Sequence, residues 1–198
     1  MEQRFGALIL AGGKARRMGG RNKALLFLEE RTFLARLETA FSDFEEKLLS
    51  TGTPELAEGT GFLPLTDQVP DRGPLEGIRV ALSRCRSEGL VVAACDMPLF
   101  PGELAHALIN ALGDREALVC RDRTGGLHPL CGIYRRSCLP TIQAQLDAGD
   151  FRVRQILEAV NSGVFSLEDT PFPDEVLTNI NTQAEFQALL SQREGSTS

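Results

Sequence analysis

The stretch from Leu8 to Lys23 most constrains what this chain can fold into and bind. It begins as an apolar run and then passes two glycine pairs, Gly12-Gly13 and Gly19-Gly20. Its second half is rich in positive side chains and contains no acidic one; the cations are Lys14, Arg16, Arg17, Arg21 and Lys23. Glycine lets the backbone turn tightly, and fixed cations with exposed N–H groups suit a polyanion. The stretch therefore predicts a strand followed by a triphosphate-binding loop, with a solvated basic loop as the alternative.

The charge and cysteine content exclude several classes of protein. The net charge of −6 and the pI near 5.1 argue against general binding to nucleic acid or to an anionic membrane. No apolar run approaches the ~20 residues of a membrane helix, and the first residues lack a signal-peptide layout. Five scattered cysteines without CxxC spacing, beside only two histidines, make a zinc site unexpected. We therefore expect a cytoplasmic protein with reduced thiols.

The order of the predicted elements indicates an α/β fold. Apolar runs such as 5–10 and 89–94 are typical of buried parallel strands, and they alternate with amphipathic helices through the first half. Thr32 is a predicted cap for a helix to about Phe44, and Leu130 to Tyr134 is strand-like. We predict a mainly parallel, twisted, Rossmann-like sheet with helices on both faces.

The length of the chain favours one nucleotidyltransferase domain over residues 1–192. We expect a nucleotide-binding half at about 1–121 and an acceptor-side half at about 122–192. The polar end of the chain, 193–198, reads as a flexible tail.

Three polar features follow three predicted strands directly. The glycine and cation loop follows 5–10, Asp67 follows 62–65, and Asp96 follows 89–94. In open α/β sheets ligands bind beyond the carboxyl ends of the strands, so the three are expected to share one site. Mg²⁺ needs only one or two carboxylates when phosphate oxygens and waters complete its shell, which makes Asp96 the predicted metal ligand. The alternative is that Asp96 merely caps the turn into Pro98.

The glycine spacing excludes two common nucleotide-binding motifs. There is no GxxxxGK[ST] string and no GxGxxG, so neither a P-loop NTPase nor a dinucleotide-binding dehydrogenase is supported. There is also no GxSxG elbow of a serine hydrolase. A wide loop carrying Arg16, Arg17 and Lys23 can instead neutralise a triphosphate and a departing pyrophosphate.

Two further motifs lie in the second half. His128-Pro129 follows a glycine pair, and the histidine is interpreted either as an acid, base or phosphate contact or as a structural loop residue. His106 lies within a predicted helix and reads as structural. Asn179-Ile180-Asn181-Thr182 precedes the last helix, and an extended segment would place both asparagine amides on one face.

Taken in order, these motifs resemble the molybdenum cofactor guanylyltransferases over about residues 7–190. The matching strings are Leu10-Ala11-Gly12-Gly13, Arg17-Met18-Gly19-Gly20 with Lys23, Asp67, Gly73-Pro74-Leu75-x-Gly77, Cys95-Asp96-Met97-Pro98, His128-Pro129-Leu130 and Asn179-x-Asn181-Thr182. The first string alone is typical of the wider nucleotidyltransferase superfamily, whose fold is that of the nucleotide-diphospho-sugar transferases.

The resemblance implies a Mg²⁺-dependent reaction and a set of site residues. GMP would pass from GTP to the terminal phosphate of the molybdenum–molybdopterin cofactor, with release of pyrophosphate. Leu10, Ala11, Gly12 and Gly13 would line the GTP site, Lys23 would contact phosphate, Asp67 the nucleotide, and Asp96 the metal. Arg152, Asn179 and Asn181 would face the pterin or align the attacking phosphate, and Arg17 carries the loop motif beside Lys23.

Departures from the family pattern and alternative functions remain open at this point. Asn22 stands where an aspartate is common, Gln183 where a proline is frequent, and the base-reading position near residues 50–52 is unassigned. The alternatives are a cytidylyltransferase on the same cofactor, a sugar-phosphate nucleotidylyltransferase, or a non-catalytic cofactor chaperone. Expected partners are the small-molecule substrates, with transient contact to molybdoenzymes or their chaperones, in a monomer or weak homo-oligomer.

Overall fold

The computed structural model describes residues 4–12 and 22–194, with side chains described as far as 191. The strands are β1 (Phe5–Leu10), β2 (Phe27–Leu28), β3 (Arg31–Thr32), β4 (Lys47–Ser50), β5 (Leu63–Leu65), β6 (Gly89–Ala94), β7 (Ala117–Arg121), β8 (Leu127–Arg135) and β9 (Ser162–Ser166). The helices are α1 (Phe33–Ala40), α2 (Gly73–Arg84), α3 (Gly102–Leu112), α4 (Leu139–Asp147), α5 (Val153–Ala159) and α6 (Gln183–Glu194). Short 3-10 helices cover Lys23–Leu25, Pro54–Ala57, Arg136–Cys138 and Asp174–Leu177.

Seven strands form one sheet in the order β5-β4-β1-β6-β8-β7-β9. The pairs β5–β4, β4–β1, β1–β6 and β7–β9 are parallel, whereas β8 runs antiparallel to both of its neighbours. Strands β2 and β3 form a separate two-stranded hairpin. The carboxyl ends of β5, β4, β1, β6 and β7 therefore meet at one edge, together with the amino end of β8.

Alternation along β1 explains why helices cover both faces of the sheet. Ala7 and Ile9 point into a core with α1 and α3, while Leu8 and Leu10 point into a second core with α2, α4 and α5. Because a strand with neighbours on both sides and helices on both faces meets no water, all six residues of β1 are buried. A third apolar cluster joins the hairpin to α6 through Leu26, Leu28, Phe33, Ile180, Phe186 and Leu189.

The predicted fold class is confirmed, and two element boundaries differ from prediction. Thr32 caps α1 through a 3.1 Å hydrogen bond from the Ala35 N–H, but the helix ends at Ala40, four residues before the predicted limit. Strand β8 begins at Leu127, so His128 lies in a strand and not in a loop. The strand starts early because Asp122 organises the preceding turn and lets β8 continue its pairing with β7 past a bulge between Val119 and Cys120.

Both predicted halves contribute strands to the same sheet, and their functional division stays a prediction. Residues 193 and 194 of the predicted tail belong to α6, and its remainder lies outside the described residues. Within the described part of the chain, no helix has the length and apolar character needed to cross a bilayer.

Candidate active site

Residues singled out in the sequence line the edge where the parallel strands end, together with Asp122, which the sequence interpretation passed over. From one side of the sheet to the other these are Asp67 after β5, Ser50 and Thr51 at the end of β4, Gly12 after β1, Asp96 after β6, His128 at the start of β8 and Asp122 after β7. The predicted gathering of the three strand-end features follows from this topology, since parallel neighbours bring their carboxyl ends together.

At the centre of the edge, Lys23 joins two distant parts of the chain. Its ammonium lies 2.7 Å from Asn181 Oδ1 and 3.3 Å from Asp96 Oδ2. We call these three residues the Lys23 cluster. Asn22 fixes where the lysine stands, because its Oδ1 accepts a 3.1 Å hydrogen bond from the Ala24 N–H and caps the 3-10 helix Lys23–Leu25. The departure at Asn22 thus retains a capping side chain.

The asparagine segment is held against Asp96 by its backbone. The Ile180 N–H donates to the Asp96 carbonyl at 2.8 Å, and the Ile180 side chain is buried in the third apolar cluster. Glu185 Oε2 accepts from the N–H groups of Asn181 and Thr182 at 2.6 and 2.8 Å, and the Glu185 N–H donates to Thr182 Oγ1 at 3.2 Å. This capping box of α6 fixes the backbone that presents Asn181 to Lys23.

Two buried oxygens at this place lack a hydrogen-bond partner among the described residues. They are Oδ1 of Asp96 and Oδ1 of Asn179. Buried polar atoms are normally paired, so an unpaired carboxylate oxygen near an unpaired amide oxygen suits a hard cation such as Mg²⁺. The described residues contain no group of three or more histidine, cysteine or acidic side chains able to hold a metal alone. A cation here would therefore depend on phosphate oxygens and waters for the rest of its shell.

Burial and Lys23 act on the Asp96 carboxyl in opposite directions. Desolvation raises the pKa of Asp96, and the nearby Lys23 ammonium partly offsets that rise. The mostly buried Asp96 carboxyl has one oxygen without a hydrogen-bond partner among the described residues, which is a costly arrangement for a purely structural side chain.

Asp67 lies at the β5 side of the edge with Ser50. Burial raises the pKa of Asp67, the neighbouring Glu76 raises it further, and a hydrogen bond from the Ser50 side chain acts against both. Glu76 is fully buried and pairs with Arg79 at 2.7 Å. Position 77 must be glycine, because a Cβ there would stand 2.5 Å from Ser50 Oγ. This packing fixes Ser50 beside Asp67, next to the unassigned base-reading segment.

Of the predicted glycine-loop residues, Gly12 alone is both described and exposed. Leu10 and Ala11 are buried, and their backbone bonds the sheet: the Leu10 carbonyl accepts from Cys95 and the Ala11 N–H donates to Ser50. Among the residues that the structure describes, no atom would lie within 4 Å of a Cβ at Gly12. The predicted site residues Gly13 and Arg17, with the loop cations Lys14, Arg16 and Arg21, lie outside the described residues.

Arg152 stands apart from the Lys23 cluster in the described structure. Its side chain is 74% exposed and pairs with Asp150 at 2.5 and 2.9 Å, next to the start of α5. Because α5 precedes β9, which is parallel to β7, this start lies at the same edge of the sheet as the cluster. The adjacent Phe151 ring packs under the Arg72 guanidinium at 6.0 Å, which joins this loop to the start of α2.

The site also contains residues that the sequence interpretation passed over. Glu185 was detectable, since Thr182-x-x-Glu185 is a capping-box pattern before an apolar helix. Asp122 was not, because its role depends on the turn that brings it to His128. Its Oδ2 lies 2.8 Å from His128 Nε2, and its Oδ1 accepts from Thr124 and Gly126. Hydrogen bonds from Thr124 and then His128 hold the pKa of Asp122 well below its usual value.

Comparison with known proteins agrees with this geometry. The family described as "MobA-like NTP transferase domain" matches residues 7–178. A "Probable molybdenum cofactor guanylyltransferase" of Clostridium perfringens is 34% identical, with 95% of this chain and 97% of the relative covered. A "Molybdenum cofactor guanylyltransferase" of Desulfosudis oleivorans is 30% identical over 91% of each chain.

Solved structures share the same fold. Molybdopterin-guanine dinucleotide biosynthesis protein A from Archaeoglobus fulgidus superposes with a TM-score of 0.80 at 21% identity, covering 96% of this chain and 99% of its own. A 4-diphosphocytidyl-2C-methyl-D-erythritol synthase from Anaerococcus prevotii superposes with a TM-score of 0.69 at 14% identity, with 96% of each chain covered.

Fold and strand-end site together define a nucleotidyltransferase. The family match spans most of the chain, and the curated relatives match it over nearly their whole length. The chain belongs to the MobA-like NTP transferase family, and the resemblance to molybdenum cofactor guanylyltransferases is confirmed.

Proposed function

We propose that this chain transfers GMP from GTP to the terminal phosphate of the molybdenum–molybdopterin cofactor. The observation that carries the proposal is the Lys23 cluster. In it the Lys23 ammonium donates to the Asp96 carboxylate, the candidate metal ligand, and to the Asn181 amide oxygen at the strand ends. The curated relatives, whose names specify guanylyl transfer, support GTP as donor and the molybdenum cofactor as acceptor.

The transfer needs positioning and charge neutralisation more than a protein base. An oxygen of the acceptor phosphate bonds to the α-phosphorus of GTP, the bond from that phosphorus to the bridging oxygen breaks, and pyrophosphate leaves. A phosphate monoester is already anionic near neutral pH, so its oxygen attacks without losing a proton to the protein. Positioning of in-line phosphoryl-type transfers accounts for most of their acceleration.

Lys23 is placed to orient the phosphates. An ammonium has three N–H donors, and two of them point to Asp96 and Asn181, which leaves the third for a phosphate oxygen. Since the lysine is held by both partners, its charge is fixed before substrate arrives. Such preorganised charge stabilises a transition state without the cost of reorientation.

Asp96 and Asn179 would hold Mg²⁺ through their unpaired oxygens. When bound there, the ion neutralises phosphate charge in the transfer. Oδ2 of Asp96 accepts a hydrogen bond from Lys23, and Oδ1 would be left to bind the metal.

The remaining site residues divide between the two substrates by their position on the edge. Asp67 and Ser50, at the β5 and β4 side, are proposed to contact the nucleoside of GTP, with Gly12 and Gly13 at its phosphates. On the other side of Asp96, Asn179, Asn181 and Arg152 are proposed to face the acceptor. Leu10 and Ala11 are buried, and their backbone hydrogen bonds to Cys95 and Ser50 hold the base of the GTP site. The family motif assigns Arg17 to phosphate binding.

We propose a cytoplasmic enzyme that meets molybdoenzymes or their chaperones only transiently, as a monomer or weak homo-oligomer. The acidic balance of the chain, −6, supports small-molecule substrates over nucleic acid or a membrane surface. The intact Lys23 cluster favours catalysis over a role as a non-catalytic cofactor chaperone.

Labelled GTP tests the proposed reaction. With molybdenum–molybdopterin and Mg²⁺, label at the α-phosphate is expected in the dinucleotide product and label at the γ-phosphate in pyrophosphate. Appearance of the γ-label in the acceptor, or as free inorganic phosphate, would contradict nucleotidyl transfer. A mixture lacking the acceptor serves as the control for simple hydrolysis.

A further inference from the structure

The two histidines of the chain each pair with an aspartate, but in different settings. His128 Nε2 lies 2.8 Å from Asp122 Oδ2, and these side chains are 23% and 18% exposed. His106 Nε2 lies 2.7 Å from Asp43 Oδ2 on the outer surface of α3, where both side chains are about half exposed. Only the first pair is built into the edge that carries the candidate active site.

Asp122 is anchored before it meets His128. Its Oδ1 accepts hydrogen bonds from the N–H and hydroxyl of Thr124 at 2.9 and 2.6 Å and from the Gly126 N–H at 2.9 Å. Those bonds fix the carboxylate plane, so Oδ2 is directed at the imidazole. His128 pairs with Cys120 across the strands, next to the bulge in β7–β8 pairing. The bulge turns the start of β8 relative to the rest of that strand.

The order of the strands places His128 and Asp96 at the same edge of the sheet. Gly89 pairs with Arg135 and Ala93 pairs with Cys131, so each step forward in β6 is one step back in β8. Asp96 follows the carboxyl end of β6 and His128 is the second residue of the neighbouring strand β8, so both lie at the same edge of the sheet. His128 therefore lies on the side of Asp96 away from Asp67 and Ser50, which is the acceptor side under the proposed function.

We propose that His128 binds the terminal phosphate of the acceptor through Nδ1, with Asp122 holding the ring. The proposal rests on the proposed function and adds a specific contact to it. When both ring nitrogens carry hydrogen, Nε2–H donates to Asp122 and Nδ1–H is left to donate to a phosphate oxygen. A phosphate near a carboxylate such as Asp96 needs a hydrogen-bond donor, and the Nδ1–H of His128 supplies one at the same edge of the sheet.

The test compares His128→Gln with His128→Ala, with His106→Gln as the matched control. A glutamine amide reaches the position of Nε2 and keeps a donor for Asp122, but it has no group at Nδ1. Pyrophosphate release is measured with GTP and Mg²⁺ while the concentration of molybdenum–molybdopterin is varied, and thermal midpoints are recorded for every variant.

We expect His128→Gln to keep the thermal midpoint but to raise KM for the acceptor about 10- to 100-fold, the usual worth of a hydrogen bond to a charged group. KM for GTP and kcat stay within about twofold, as for a contact made equally in ground and transition states. His106→Gln leaves all three constants unchanged.

The inference would be overturned if His128→Gln left KM for the acceptor unchanged and only His128→Ala lowered the thermal midpoint. The His128–Asp122 pair would then have a structural role alone. A rise in KM for GTP alone would also overturn the inference. Failure of the wild-type protein to release pyrophosphate would instead contradict the proposed function, so the two failures are distinguishable.

Discussion

The ammonium of Lys23 lies 2.7 Å from Oδ1 of Asn181, although the two residues are 158 positions apart in the chain. The contact joins the two ends of the chain at the candidate site, because Lys23 follows the glycine-rich loop and Asn181 precedes the last helix. Asp96, which lies between them in the sequence, accepts a hydrogen bond from the same ammonium through Oδ2 at 3.3 Å. One ammonium thus contacts two segments of the chain that are also bonded to each other, through the Ile180 N–H and the Asp96 carbonyl.

Replacing Lys23 by alanine is expected to weaken GTP binding about 10- to 100-fold, because a charge-assisted hydrogen bond to phosphate is lost. Calorimetric titration with GTP and Mg²⁺ measures the change. Lys47→Ala is the control, since that lysine lies at the opposite edge of the sheet and donates to the Ser42 carbonyl. Equal affinities in Lys23→Ala and the wild type would show that this lysine does not contact the nucleotide.

Asp96→Asn is expected to lower turnover by at least about 10²-fold, as for loss of a group that organises transition-state charge. The thermal midpoint at neutral pH should not fall. Burial raises the pKa of Asp96, so holding it ionised costs folding free energy that asparagine does not require. Asp114→Asn, at an exposed turn, is the control. Wild-type turnover in Asp96→Asn would refute the proposed metal role.

Glu185 is expected to act as a positioning residue for Asn181. Glu185→Ala removes the acceptor of two backbone N–H groups and should reduce kcat about fivefold, equivalent to about 1 kcal/mol, with a smaller effect on KM for GTP. Glu185→Gln should restore most of kcat, because its amide oxygen accepts the same bonds. If Glu185→Ala and the exposed control Gln187→Ala have the same kcat, the capping box has no part in the site.

The buried pair Glu76–Arg79 gives a prediction for stability and pH. The Arg79 hydrogen bonds hold the pKa of Glu76 below its ordinary value of 4.5, although burial acts against them. A lowered pKa stabilises the fold fully above about pH 4.5, and that contribution disappears as the pH falls through the lower folded value.

Glu76→Gln should therefore lower the free energy of unfolding by about 3 kcal/mol at pH 7, because it leaves a mostly buried guanidinium without its carboxylate. The difference from wild type should shrink below pH 4. Urea denaturation at pH 7, 5, 4 and 3 measures it, with the exposed Glu30→Gln as the control. A difference that is constant across this pH range would exclude ionisation of Glu76 as its source.

Much of the fold could be predicted because the periodicity of the apolar residues is strong. The runs at β1 and β6 are continuous, as buried parallel strands require, and Thr32 and Thr182 cap the helices that follow them. The extent of β8 could not be read in the same way. Leu127 and His128 precede the apolar run that marks the strand. Their pairing with β7 follows a turn that Asp122 stabilises, and the turn residues themselves give no sign of where the strand begins.

The candidate site was predictable where one strand end carries one polar residue, as at Asp67 and Asp96. It was not predictable where long-range contacts decide the role of a side chain. The bridge from Lys23 to Asn181 is of this kind, as is the close approach of Gly77 to Ser50. The contact between Asp122 and His128 spans only six positions and depends on the shape of the turn between them. Arg152, by contrast, remains a prediction carried by family resemblance, because its described contacts are to Asp150.

The nucleotide preference tests the account most directly. Pyrophosphate release is measured with molybdenum–molybdopterin, Mg²⁺ and each of GTP, CTP, ATP and UTP in turn, at equal concentrations. The account predicts release with GTP and at most a few per cent of that rate with the other three, because a base of the wrong hydrogen-bonding pattern leaves polar groups of the site unpaired. Release with CTP and not with GTP would contradict the assignment.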